Sequence, residues 1–252
     1  MKKTYPSLYL HDVGDRFQRE TSYHPEKTKG HSLDWSQRPE VYKNVEAPLG
    51  HIPLPEPSMP EAVSLWDVIM NRRSRRQFAP HKTMTLQQVS TLLWAGQGIT
   101  AQQGDMLLRT TPSAGALYTI ETYFYAQSVS GLDRGFYHFR PRVFDLEFMR
   151  EGDYTSSLAE AALKQSMVKK AQITFIWSAV IDRAKWKYKD RAYRYMYLDA
   201  GHIAQNLYLA AEALGLGMCV IGAFYDESVN CLIGIDGMTE TAVYMAVVGW
   251  PA

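Results

Sequence analysis

One apolar stripe constrains this chain more than any other feature. Tyr193, Tyr197, Ala200, Ala204, Leu207, Ala211 and Leu214 recur every three or four residues, which predicts a single helix over about 191–214. Such a stripe has to be buried against other elements. The runs ITFIWSAVI at 173–181 and TAVYMAVVGW at 241–250 read as buried strands, and ETYFYAQ at 121–127 as a strand rich in aromatic and β-branched residues. Residues 135–139 and 143–148 flank Arg140-Pro141-Arg142 and predict a hairpin. Further helices are expected at 65–70, opened by Ser64 and Asp67, at 86–94, opened by Thr85 and Gln88, and at 156–170. Gly96 and Gly98 stop the second of these. Helices and strands mix without strict βαβ alternation, so the expected class is α+β.

At 252 residues the chain is long enough for a core that needs neither metal nor disulfide. Cys219 and Cys231 are too few for a disulfide framework or a four-ligand zinc site and are expected as buried thiols. Eight of the twelve prolines fall in the first sixty residues, which predicts an extended arm over 1–60, packed on a body over 61–252 by anchors such as Phe17, Tyr23 and Trp35. The net charge of +1 argues against a nucleic-acid binder. Met1-Lys2-Lys3 is followed by a stretch, Tyr5 to Leu10, of only six residues that runs into His11-Asp12, so no signal peptide is expected, and no apolar run approaches a membrane span. A cytoplasmic protein is the reading. Residues 1–194 carry +7 and residues 195–252 carry −6, so an anionic ligand must be held by the first part or by backbone amides.

The densest chemical signal is Arg72-Arg73-Ser74-Arg75-Arg76-Gln77-Phe78. Four guanidiniums and a hydroxyl can wrap a phosphate dianion, or can simply complement the end of the preceding helix. Thr111-Pro112-Ser113-Ala114-Gly115-Ala116-Leu117-Tyr118 allows a backbone to approach a flat ligand, or forms an ordinary tight loop. Gly215-Leu216-Gly217 ends a helix and feeds a short strand, so it does not read as a dinucleotide fingerprint. Asp199, His202 and Asn206 share a face opposite the apolar stripe, suited to hydrogen bonding or a subunit contact more than to a metal, and no metal site is expected. Lys187-Tyr188 pairs a cation with a phenol and could move protons beside a cofactor, or sit in a solvated charged loop.

Taken together, these segments resemble the nitroreductase family of FMN-dependent oxidoreductases, and within it the SagB-type branch that includes azoline dehydrogenases. The likeness is carried by Arg-Arg-Ser-x-Arg-x-Phe at 72–78, Pro-Ser-Ala-Gly-Ala-Leu-Tyr-Thr-Ile-Glu at 112–121, Leu-Asp-Ala-Gly-His-Ile-Ala-Gln-Asn-Leu at 198–207 and Leu-Gly-Leu-Gly-Met-Cys at 214–219 with Gly222. Tyr23-His24 to Thr28-Lys29 is similar to that branch's N-terminal arm. The resemblance implies a mostly antiparallel central sheet flanked by helices in an intertwined homodimer, with FMN at the subunit interface.

By the same resemblance, Arg72, Arg73, Ser74 and Arg76 would hold the FMN phosphate and ribityl chain. Ser113, Ala114, Gly115 and Leu117 would line the isoalloxazine from the partner subunit, and Ile221, Gly222 and Ala223 would turn backbone amides to the flavin ring. Lys187 or Tyr188, ahead of Arg191-Ala192-Tyr193-Arg194, would assist deprotonation. The implied activity is ping-pong hydride transfer through flavin N5, reducing nitro or quinone acceptors with NAD(P)H. Alternatives are oxidation of an azoline or similar ring in a small molecule or peptide, and a non-catalytic flavin-fold partner in a complex. The chain departs from the family in having no Lys or Arg after Arg194, where many relatives add a C-terminal phosphate contact, and in Thr119, where the branch often has proline.

Overall fold

The computed structural model describes residues 12–25, 32–60 and 63–252. In chain order the elements are α1 (Val13–Glu20), β1 (Gly50–Pro53), α2 (Leu65–Asn71), β2 (Met84–Thr85), α3 (Leu86–Gln97), β3 (Ile99–Gln103) and β4 (Met106–Arg109). There follow β5 (Ile120–Ala126), β6 (Val129–Ser130), β7 (Gly135–Arg140), β8 (Asp145–Glu151), α4 (Thr155–Ala161), β9 (Ile173–Val180) and α5 (Ile181–Tyr188). The chain closes with α6 (Ala192–Ala213), β10 (Gly217–Ile221), α7 (Asp226–Ile233) and β11 (Glu240–Gly249).

Seven strands form one sheet in the order β1-β8-β7-β5-β9-β11-β10, with every neighbouring pair antiparallel. The fold is α+β, as the sequence predicts. Side chains alternate across the central strands, as the two-residue period requires. Phe124, Phe175, Trp177, Ala246 and Val248 face a layer built on α3, α5 and α6, whereas Tyr123, Ile176, Met245 and Val247 face α4 and α7. Both faces are covered, which is why β9 and β11 read as continuous apolar runs.

The α3–α6 packing sets the position of much that follows. Thr85 and Gln88 form the expected capping box, with reciprocal bonds of 3.2 and 3.0 Å. At the other end of α3, a Cβ on Gly96 would lie 3.3 Å from Ile203 and collide with Leu207, so glycine permits the close approach of α6. No helix among the described residues is long and apolar enough to cross a membrane.

Several local expectations differ from the structure. The helix expected over 156–170 stops after Ala161. Leu163 and Lys164 take positive φ (54° and 61°), reversing the chain so that Met167 and Val168 in the next turn reach the core. In the predicted stripe of α6, Ala200, Ala204, Leu207 and Ala211 are buried but Tyr197 is 55% exposed. Asp199, read onto the opposite polar face, is buried. Cys219 is buried, whereas Cys231 is exposed on α7.

Residues 185–188, which read in sequence as a solvated charged loop, are helical. Within the first sixty residues, α1 occupies a proline-free stretch and β1 is an edge strand on β8, ending at Pro53 where a missing donor is tolerated. The Thr28-Lys29 end of the arm's family resemblance, and the reading of residues 1–10, lie outside the described residues.

Candidate active site

The arginine-rich segment is tied down at both ends. Ser74 bridges Met218 in parallel, the Arg75 amide donates to the Met218 carbonyl (2.9 Å), and the Ala79 amide donates to Trp250 (2.9 Å). This lays residues 72–79 along β10 and beside the end of β11. The Val220 amide donates to Tyr208 Oη (3.1 Å), which lies 2.9 Å from Ser74 Oγ. With Tyr208 Oη donating its hydrogen bond to Ser74 Oγ, the serine hydrogen is left for another acceptor.

The four arginines have different surroundings. Arg73 Nη1 donates to the carbonyls of Met70 (2.8 Å) and Arg72 (2.9 Å), closing the end of α2. Arg75 is 3.6 Å from Glu212. Arg72 stacks on the Tyr208 ring (4.9 Å), and Arg76 reaches the Ser74 carbonyl (3.3 Å). Among the described residues, neither Arg72 nor Arg76 has a carboxylate within ion-pairing distance. These two guanidiniums, with the Ser74 hydroxyl, fit an oxyanion. Ile221 is buried at the far end of β10, and Gly222 and Ala223 follow it exposed. At Gly222 an added Cβ would meet only Tyr244, at 3.9 Å, so the backbone there stands open to a flat ligand.

The second group forms at the other end of α6. Ser113 Oγ donates to Asp199 (2.6 Å), whose carboxylate also accepts from the Ala114 amide (3.2 and 3.3 Å). Ser113 Oγ in turn accepts from the Tyr118 amide (2.9 Å). These bonds fix a tight turn in which Gly115, Ala116 and Tyr118 all take positive φ (63°, 52° and 47°). Burial pushes the Asp199 carboxyl up, opposed by its bonds from Ser113 and Ala114. Leu117 is buried.

Lys187 and Tyr188 meet this turn. A Cβ on Gly115 would collide with the Tyr188 hydroxyl and lie 2.9 Å from Lys187 Nζ. Burial raises the Tyr188 phenol above its ordinary range, reinforced by Tyr195 and Asp199. The structure therefore brings residues 113–117 together with Lys187 and Tyr188, and residues 72–76 together with the strand leading to 221–223. Within one chain the two groups stay apart. Asp199 and Tyr208 are nine residues apart on α6, about 13 Å along its axis.

Some residues of this region carry no signal in sequence. Tyr208 reads as one more aromatic on an apolar helix, whereas Asp199 falls on the hydrogen-bonding face singled out in sequence, its bond to Ser113 unforeseen. Arg183 of α5 is buried; its Nε donates to the Glu40 carbonyl (2.7 Å) and its Nη1 to the Tyr118 carbonyl (3.2 Å) and to Glu121. Only its position one helical turn before Lys187 hints at a role.

The profile described as the nitroreductase family matches residues 69–250, most of the chain and all of the segments just described. The chain belongs to the nitroreductase family. It is 37% identical over 175 residues to MJ1384 of Methanocaldococcus jannaschii, named as a nitroreductase, covering 69% of this chain and 86% of that protein. It is 31% identical over 150 residues to the trifolitoxin-processing protein TfxB of Rhizobium leguminosarum bv. trifolii, covering 58% of this chain and 40% of TfxB.

Among solved structures, a nitroreductase-type protein of Anabaena variabilis superposes with a TM-score of 0.77 at 30% identity, over 92% of this chain and 45% of that one. This chain thus spans less than half of TfxB and of the Anabaena protein. The fold is also shared with the Escherichia coli microcin synthetase McbBCD complex, solved with truncated pro-MccB17 bound (TM-score 0.61, 20% identity, 98% of this chain and 84% of that one). It is shared too with the NADPH:FMN oxidoreductase of Vibrio harveyi, solved with NAD+ (TM-score 0.54, 20% identity, 74% and 68%).

Proposed function

We propose that this protein is an FMN-dependent oxidoreductase that oxidises an azoline or similar saturated ring. The carrying observation is the placement of Lys187 Nζ and Tyr188 Oη against Gly115, in the turn that the family resemblance assigns to the flavin. A reductase working on nitro or quinone acceptors with NAD(P)H needs no such substrate-side pair. The likeness to TfxB, a toxin-processing protein, supports the same direction.

Arg72, Arg76 and Ser74 would hold the FMN phosphate, with Arg73 bracing the segment from α2. Ile221, Gly222 and Ala223 would present backbone to the ring, and Ser113, Ala114, Gly115 and Leu117 would line it from the partner subunit of a homodimer. Bound FMN supplies the two-electron acceptor, taking a hydride. What remains for the chain is the proton. Converting the saturated C–C bond of the ring to C=C removes a hydride from one carbon and a proton from its neighbour. The Tyr188 phenol, raised further by burial, serves as a hydrogen-bond donor to the ring heteroatom. Lys187 Nζ, beside it at Gly115, is the group placed to take the proton.

Absorbance of the purified protein with added FMN tests the cofactor, and turnover of a synthetic thiazoline peptide tests the direction. The expected protein is yellow, oxidises the thiazoline, and loses at least about a hundredfold in kcat with Lys187→Met. A yellow protein that is bleached by NAD(P)H, reduces nitro compounds and leaves the thiazoline untouched is instead a reductase. A colourless protein that takes up no FMN removes both readings.

A further inference from the structure

The pair Lys187–Tyr188 sits on a helix that cannot hold itself in place. α5 has eight residues, and isolated helices below about 12–15 residues are marginal in water. It ends at Lys189 with φ 50° and ψ −131°, a conformation unfavourable for a residue with a side chain. Something outside α5 therefore fixes where its last two residues point.

The described part of the N-terminal arm contacts α5 and the start of α6 from several directions. On α5, the Trp186 indole donates to the Asp34 carbonyl (2.9 Å), and the Trp35 ring meets Trp186 edge-on at 5.4 Å. Arg183 Nε holds the Glu40 carbonyl while its Nη1 holds Tyr118, next to the turn that carries Gly115. On α6, Arg194 Nε donates to Thr21 Oγ1 (2.7 Å) and Arg191 Nη1 to the Thr21 carbonyl (2.9 Å). Arg191 also stacks on Tyr23 (4.8 Å). The same guanidinium lies over the Tyr195 ring (6.0 Å), and Tyr195 packs edge-on against Tyr188 at 4.7 Å. Two routes thus run from the arm to the pair, one through Trp186 and Arg183 and one through Tyr195.

We propose that the N-terminal arm is a working part of the site: it clamps α5, with Arg183 as the positioning residue that sets Lys187 and Tyr188 against Gly115. This rests on the reading of that pair as proton-handling. Arg183 and Lys187 lie one turn apart on one face of α5, so the bonds of the first orient the second. Arg183 is simultaneously bound to the arm, to the Tyr118 end of the turn and to the sheet through Glu121, so the arm and both sides of the Lys187–Gly115 contact share one guanidinium.

The arm offers variants that leave the core intact, because Trp35 is 65% and Tyr23 54% exposed. In the full chain without flavin, Trp35→Ala is expected to speed hydrogen exchange of the α5 amides by about tenfold, the joint loss of an aromatic contact and of the ordered Asp34 acceptor beside it. Exchange in β9 should stay at the wild-type level, which separates local loosening from global unfolding. Tyrosine-selective NMR should show the elevated Tyr188 titration moving down towards the ordinary value of about 10. With FMN restored, kcat on the thiazoline peptide should fall at least about tenfold in Trp35→Ala with flavin affinity unchanged, and Arg183→Lys should retain more activity than Arg183→Gln.

Unchanged α5 exchange in Trp35→Ala overturns the clamp. Faster exchange with an unmoved Tyr188 titration overturns the positioning. Should Lys187→Met itself leave thiazoline oxidation intact, the function reading fails instead. The exchange and titration measurements, which need no turnover, still decide the arm.

Discussion

His138 shows how much charge this fold keeps inside. Fully buried, it lies 2.8 Å from Glu147 through Nδ1 and 3.1 Å from Glu121 through Nε2. Burial opposes its charge, but the bonds to Glu121 and Glu147 prevail and raise its pKa. Burial likewise opposes ionisation of Glu121, yet Arg183 and His138 pull it down to about 2. Removing the imidazolium leaves two carboxylates facing each other in the sheet, so His138→Gln is expected to cost about 3–5 kcal/mol in urea unfolding at pH 6. Because the folded pKa of His138 is raised, its contribution is complete below its unfolded value of about 6.5 and fades as pH rises through the folded value. The wild type should therefore lose more stability than the variant between pH 6 and pH 9. Gly115 is a second sensitive position. Gly115→Ala adds a left-handed penalty of about 1–2 kcal/mol and drives a methyl into the Tyr188 hydroxyl. A melting temperature lowered by a few degrees, together with a much larger loss of thiazoline turnover, is the expected outcome.

Among the elements, those whose signal is local were legible in sequence. The capping pair Thr85 and Gln88 marks the start of α3, and Thr85→Ala should cost about 1 kcal/mol, measurable by urea denaturation. β5, β9 and β11 were legible because burial on both faces leaves uninterrupted apolar runs. α6 was legible from its stripe, to within a residue at each end, although Tyr197 turns outward. The start of α4 was legible but its end was not, because no glycine or proline marks the reversal at Leu163 and Lys164. α5 was not either: KWKYKD has no apolar period, and the helix stands on contacts with residues 150 positions away, such as Trp186 with Asp34. The candidate site divides the same way. Residue types such as the arginines at 72–76 stand out in sequence, whereas their partition does not, since Arg73 closing α2 and Arg75 meeting Glu212 are tertiary outcomes. The approach of Lys187 and Tyr188 to Gly115 joins segments some seventy residues apart, and no spacing rule announces it.

At the scale of the whole molecule, α2 presents a run of exposed apolar side chains. α2 buries only Val68 and leaves Leu65, Trp66, Ile69 and Met70 at 57, 71, 46 and 64% exposure. Beside it a cavity of about 580 Å³ opens between α2, α3 and α6, lined by Val68, Trp94, Leu209 and Ala213 among others. A helix that is apolar on its solvent face is an expected contact surface, and the function proposed above requires a second copy to bring residues 113–117 to the flavin. The full chain is therefore expected to sediment as a dimer. Trp66→Asp combined with Met70→Asp should convert it to a monomer, since two charges in a desolvated contact cost several kcal/mol. Both side chains lie on the surface, so the circular dichroism spectrum of the monomer should match the wild type. FMN affinity should fall with dissociation even though neither residue is assigned to the flavin. A folded monomer that binds FMN as tightly as the dimer would show that one chain completes the site alone, and the assignment of residues 113–117 to the partner's flavin would have to be withdrawn.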